Sequence, residues 1–233
     1  SASICKVDLI SDLVGEFPEL QGVMGGYFAE AQGFDKEIAL AVSEHYLPTG
    51  LDSRTPKKPF SIALALIDKV DTLVGFFGIN QKPTSSKDPY ALRRSALGIV
   101  KLLIDNNKEF KIKDLISYST SLHREQGFEL SNDLSQKELA EFLMDRLKYY
   151  MNEKKIRVDI TEASISSYGI DHMNKIYNKA LILDNLIKGE LGEDIMASYK
   201  RASSILESEL KNSILELSNT TDPGIFKNDY EKN

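Results

Sequence analysis

The segment Ile62-Ala63-Leu64-Ala65-Leu66-Ile67-Asp68-Lys69-Val70-Asp71-Thr72-Leu73-Val74 reads as a helix that is apolar almost all round. Such a helix belongs inside a core, covered by other elements on every side. Its acids are therefore informative. At about 100° per residue, Asp68 falls among Leu64 and Ala65, and a carboxylate there needs a partner. Lys6, His45, Lys69 or a metal ion could supply it.

Outward from this helix the periodic segments share its spacing, with apolar residues recurring at three and four, and the alternating β-branched runs of strands are scarce. The expected fold is all-α. Turn-rich stretches at Leu47–Pro56 and Gly78–Pro89 break the helical pattern, and a polar stretch, Gly127–Ser135, marks the expected inter-domain joint. Asp88-Pro89 is a helix start, an aspartate able to cap free amides followed by a proline pre-set for the first turn. That helix runs to about Asp105. Leu92, Ala96, Ile99, Val100 and Leu103 form its core side, and Tyr90, Arg94 and Lys101 gather opposite. An aromatic between two cations suits an RNA backbone or an unstacked base, and it equally suits a plain solvated face. Arg93, nearer the apolar arc, is expected to bridge the preceding loop to the core.

In the next amphipathic segment Leu139, Phe142, Leu143, Leu147 and Tyr150 make the buried stripe. Arg146 falls within it, which calls for a paired acid, Asp159 or Glu162, or for a ligand. Lys148 lies opposite, where an ordinary surface lysine is also at home. A last helix, Asp194–Leu206, is expected to bury Ile195, Tyr199, Ala202, Ile205 and Leu206, with Lys200 and Arg201 pointing away.

The chain has 233 residues, 42% hydrophobic and 27% charged, with a formal charge of −6. This is a globular composition, and its net charge argues against polyanion binding by bulk charge alone. The average conceals an asymmetry. Residues 1–50 carry eight acids against Lys6 and Lys36, while residues 82–113 carry eight cations against three acids. A polyanion would be met by the middle segment. The longest aliphatic run, Ile62–Ile67, is far short of the roughly 20 residues that span a bilayer. With no leader before it and Cys5 as its single cysteine, the chain is expected to be cytoplasmic, and its start at Ser1 suggests a piece of something longer. The glycines and lysines of Gly75–Lys87 do not have phosphate-loop spacing, and His45, His123 and His172 have no companion motif for a nucleophilic triad. His45, Asp8 and Asp68 have the right donor types for a metal, though fewer than an octahedral site usually gathers.

Longer strings carry more information. Lys6-Val7-Asp8-Leu9, Val14–Gly25, Glu44-His45-Tyr46-Leu47-Pro48, Asp68–Gly75 and Lys82–Arg94 occur here in order, followed by Phe142–Leu147 and Tyr199–Leu206. Together they resemble the bacterial glycyl-tRNA synthetase β subunit over about Lys6–Leu206. The resemblance implies an HD-like helical domain at 1–107, a helical connector at 108–135 and, at 136–233, a truncated DALR-like anticodon-binding domain similar to that of arginyl-tRNA synthetases. It implies a part in ATP-dependent glycylation of tRNA, with glycine, ATP and Mg held by a separate α subunit and no catalytic residue or cofactor in this chain. The implied partners are glycine-specific tRNA, the α subunit and the remaining β-subunit domains.

On that footing Lys82, Lys87, Tyr90, Arg94 and Lys101 are expected to meet the acceptor side of tRNA, and Arg146, Lys148, Lys200 and Arg201 the anticodon side. Asp8 and Asp68 correspond to the aspartates of an HD metal site in which Val7 replaces the paired histidine, so a degenerate site without metal is expected. Two readings from other classes stay open, a metal-dependent phosphohydrolase and an assembly module that does not touch RNA. Two departures from the family pattern also matter. Gly26 stands where arginine is usual, and Ser85 stands where glycine is usual, which is costly if that position needs positive φ.

Overall fold

The computed structural model describes residues 2–130, 134–166 and 168–212. Short helices α1 (Asp12–Glu16), α2 (Val23–Ala31) and α3 (Lys36–Glu44) lead into a long α4 (Pro59–Gly78). α5 (Leu92–Asp105), α6 (Ile112–Glu125), α7 (Leu134–Glu153), α8 (Val158–Ile165), α9 (Met173–Ile187) and α10 (Glu190–Asn212) follow. Among the described residues there is no strand, and the fold is all-α. No described helix is long and apolar enough to cross a membrane.

The chain packs as two compact units, Ser1–Asp184 and Asn185–Asn233. In the first, α4 is the central element, packed against α3, α5, α6 and α7. It buries Ile62, Leu64, Ala65, Leu66, Val70, Leu73, Val74 and Phe77, as its all-round apolar character requires. The stripes expected on α5 and α7 face the same interior: Leu92, Ala96, Ile99, Val100 and Leu103 are buried, as are Leu139, Leu143, Leu147 and Tyr150. α7 thus shares its packing unit with α4 and α5, on the far side of the polar stretch at 127–135.

α5 begins three residues later than its proline suggested. Asp88 is nonetheless its cap, its two carboxylate oxygens accepting from the amides of Leu92 at 2.8 Å and Arg93 at 3.0 Å. Ala91 sits between them in the left-handed region at φ 53°. Ser85 is not among the residues with positive φ, so replacing a glycine there costs no backbone strain.

The second unit, described through Asn212, departs from the sequence pattern. Its α10 is longer than expected, but Ile195, Tyr199 and Ile205 are 48%, 66% and 57% exposed. The apolar spacing is there, but the burial expected of it is not. Among the described residues, this unit has no second helix to cover it.

Candidate functional site

A cleft of about 610 Å³ opens in the first unit between the N-terminal segment, α4 and the start of α5. Lys6, Glu19, Tyr46, Asp68, Lys69, Tyr90 and Arg94 are among the residues lining it. The two aspartates expected to mark a degenerate metal site take separate structural roles here. Asp8, 1% exposed, accepts through Oδ2 from the amides of Gly22 at 2.6 Å and Gly25 at 3.1 Å, and so caps α2. Asp68 is paired with Lys6 at 2.6 Å, which selects one of the four candidate partners. Among the described residues no group of three or more His, Cys, Asp or Glu side chains is gathered for a metal ion.

Lys69 does something the sequence did not disclose. Its ammonium donates to the carbonyls of His45, Tyr46 and Leu47 at 3.0, 3.1 and 3.0 Å, closing the end of α3 and fixing the following loop. An ammonium has three donors, and all three are spent. Burial holds its pKa down to about 8 despite the neighbouring Asp68. The only available signal was a lysine in the middle of an apolar helix. Gly98 completes the fit, because a Cβ there would lie 2.6 Å from Lys69 Cε.

The residues expected to contact RNA divide into two groups. Arg94 is exposed on the cleft wall and has no ion pair among the described residues. Tyr90 is 46% exposed and stacks by one face on Phe76, with ring centroids 4.2 Å apart. Lys87 is exposed in the preceding loop, and Lys200 and Arg201 are exposed on α10. The others are engaged. Lys82 is ion-paired with Glu138, and Lys148 with Glu162 at 2.9 Å.

Lys101 is not on an open face with Arg94. It is 6% exposed, donates to the carbonyl of Leu51 at 2.7 Å and pairs with Asp105 at 3.3 Å. The helical wheel sets Lys101 on the same side of α5 as Arg94, but at Lys101 the loop after α3 covers that side. Thr55 and Lys57 reach Asp105 from the same loop. Arg93 matches its expectation, bonding the carbonyl of Thr84 and lying 3.9 Å from Asp88.

Arg146 has neither of its expected acids. Asp159 is taken by Arg157 at 2.6 Å and Glu162 by Lys148. The guanidinium instead lies 5.6 Å from the ring centroids of both Phe142 and Tyr149, in cation–π geometry. Two of the three histidines have polar partners nearby. His45 is fully buried and its Nδ1–H donates to Val42 at 2.6 Å, while Asp71 lies 3.0 Å from His123 and accepts from Ser119 at 3.4 Å. The carboxylate sits between serine and histidine, so the histidine is not placed as a base on the hydroxyl. Cys5 is buried, which pushes its thiol pKa up and disfavours the thiolate.

The family model described as glycyl-tRNA synthetase beta subunit matches residues 1–166. A glycine–tRNA ligase beta subunit of Cereibacter sphaeroides is 40% identical over all of this chain, which covers 33% of that relative. One from Ruegeria sp. is 40% identical over 92% of the chain and 30% of the relative. A third, from Rhodospirillum centenum, is 38% identical over 91% of the chain and 29% of the relative. The chain spans about a third of the length of these relatives.

Proposed function

Because the chain belongs to the glycyl-tRNA synthetase beta subunit family, we propose that it is a tRNA-recognition portion of glycine–tRNA ligase. It holds glycine-specific tRNA while an α subunit, with ATP and Mg, carries out glycylation. The α subunit and the remaining β-subunit domains are its protein partners. In this reading the loop and helix at 82–101 address the acceptor side, and the domain at 136–233 the anticodon side.

The supporting observation is the meeting of Tyr90 and Arg94 at one cleft, an exposed aromatic beside a guanidinium that has no ion pair among the described residues. Phosphates require uncommitted cations, and bases require open aromatic faces. Lys87 extends the same surface. Lys82, Lys101 and Lys148 drop behind it because their charges are already satisfied.

The test is fluorescence anisotropy of labelled glycine-specific tRNA against a noncognate tRNA, at low and moderate salt, with Arg94→Ala alongside. The expected result is preferential cognate binding that weakens with salt and with the substitution. Equal or absent binding by the unsubstituted protein would sink the reading. An assembly role gains support from the exposed apolar side chains Val7, Ile10, Phe17, Val23, Tyr27 and Phe34. It predicts association with the α subunit in the absence of RNA.

A further inference from the structure

We propose that the cleft walled by Lys6, Tyr90 and Arg94 is a binding site for a single unpaired nucleotide, its phosphate held by Arg94 and Lys6 and its base laid on the open face of Tyr90. The inference rests on the tRNA-recognition reading for where that nucleotide comes from, and on the cleft itself for the chemistry. At about 610 Å³ the cleft is the size of a small-ligand pocket. The charged residues lining it are Lys6, Lys69 and Arg94 against Glu19 and Asp68, which leaves an excess of positive charge.

The three cations are not equivalent. Lys69 has spent its donors on three carbonyls, so it supplies a fixed field but no hydrogen bond to a ligand. Lys6 shares its ammonium with Asp68 and is 48% exposed at its side chain, so its remaining donors are accessible. Arg94 has no ion pair among the described residues and offers a guanidinium fork that matches a phosphate. The burial that lowers Lys69 is a cost that an anion bound nearby would offset. Both geometry and charge therefore favour an anion.

Tyr90 narrows the ligand further. One face of its ring is occupied by Phe76, which holds the ring in place, yet 46% of the residue stays exposed beside Arg94. Its backbone position is set by the Asp88 cap and the left-handed Ala91, a rigid corner between the loop and α5. A pre-placed ring beside a free guanidinium is how an unstacked base and its phosphate are gripped together. Inorganic phosphate alone would use only the cations.

The full chain, labelled with ¹⁵N, can be titrated separately with adenosine 5′-monophosphate, cytidine 5′-monophosphate and inorganic phosphate. Saturable shifts at Lys6 and Ala91–Ser95 are expected with both nucleotides, and weaker ones with phosphate. Tyr90→Leu is expected to weaken the nucleotides about tenfold and leave phosphate unchanged, whereas Arg94→Gln weakens all three. No saturable shift at these amides with millimolar nucleotide overturns the proposal, whatever tRNA does. Displacement of the nucleotide by glycine-specific tRNA assigns the site to an unpaired RNA residue, and tRNA binding without displacement assigns it to a free nucleotide. Nucleotide shifts without any tRNA binding would uphold the cleft and sink the tRNA-recognition reading alone.

Discussion

The carboxylate of Asp8 accepts a hydrogen bond from the Gly22 amide at 2.6 Å, with both residues buried. A residue whose position in the sequence resembles a metal ligand is thereby a helix cap, because Oδ2 also takes the Gly25 amide. Asp8→Ala leaves two buried amides without an acceptor, and should lower stability by about 2 kcal/mol in urea denaturation. Asp8→Asn retains an acceptor and should lose less. Equal losses would mean that the cap contributes only through the carboxylate's charge.

Gly26 explains its own departure from the family pattern. A Cβ there would lie 2.7 Å from Ser43 Cβ and 2.9 Å from the Ala39 carbonyl oxygen, so the glycine lets α2 approach α3. Gly26→Ala should therefore destabilise by roughly 1–2 kcal/mol, the overpacking cost exceeding the gain in helix propensity. In a double-mutant cycle with Ser43→Gly the two changes should couple favourably, since the second removes one of the two clashes. Additive effects would contradict the close approach.

The sequence conveyed the helices and the core faces far better than the site. Burial of Leu92, Ile99, Leu143 and Leu147 follows from spacing alone, because a stripe at three and four has only one way to leave water. What a loop lays over a helix has no such period. Lys101 was legible as lying off the core side of α5, and the loop that covers it was not. Arg146 shows the same limit, since rings one turn away took the place of the acids that charge matching suggested. The helical wheel sets Arg94 and Tyr90 together within a cation-rich segment, but that Lys6 and Lys69 line the same cleft depends on tertiary packing.

His45 gives the protein an acid-side weakness. Burial lowers its pKa from the ordinary 6.5, and because Nδ1–H is committed to the Val42 carbonyl, protonation must occur at the buried Nε2, which has no partner among the described residues. Below about 6.5 the unfolded chain takes up a proton that the native state refuses, so stability falls as pH falls. His45→Gln should flatten this slope between neutral and mildly acidic pH, as read from urea midpoints. An unchanged slope would assign the acid sensitivity to other groups.

Lys101 and Arg94 stand on the same helix seven residues apart in sequence, and their substitutions should separate structure from recognition. Lys101 is a tether: its ammonium joins the Leu51 carbonyl to Asp105, a carboxylate that also accepts from Tyr150 at 3.1 Å. Lys101→Met keeps the buried stem but strands these acceptors, and should cost roughly 1–3 kcal/mol in urea denaturation. Arg94→Gln breaks no ion pair among the described residues and should leave the midpoint within about 0.5 kcal/mol. Salt dependence of tRNA binding should respond in the opposite sense. Losing a phosphate contact at Arg94 should reduce the slope of log K against log salt by about 1, whereas Lys101→Met should leave it unchanged wherever the protein remains folded. A slope that falls for Lys101→Met and not for Arg94→Gln would place RNA on the loop-covered side of α5, and would overturn the assignment of the cleft.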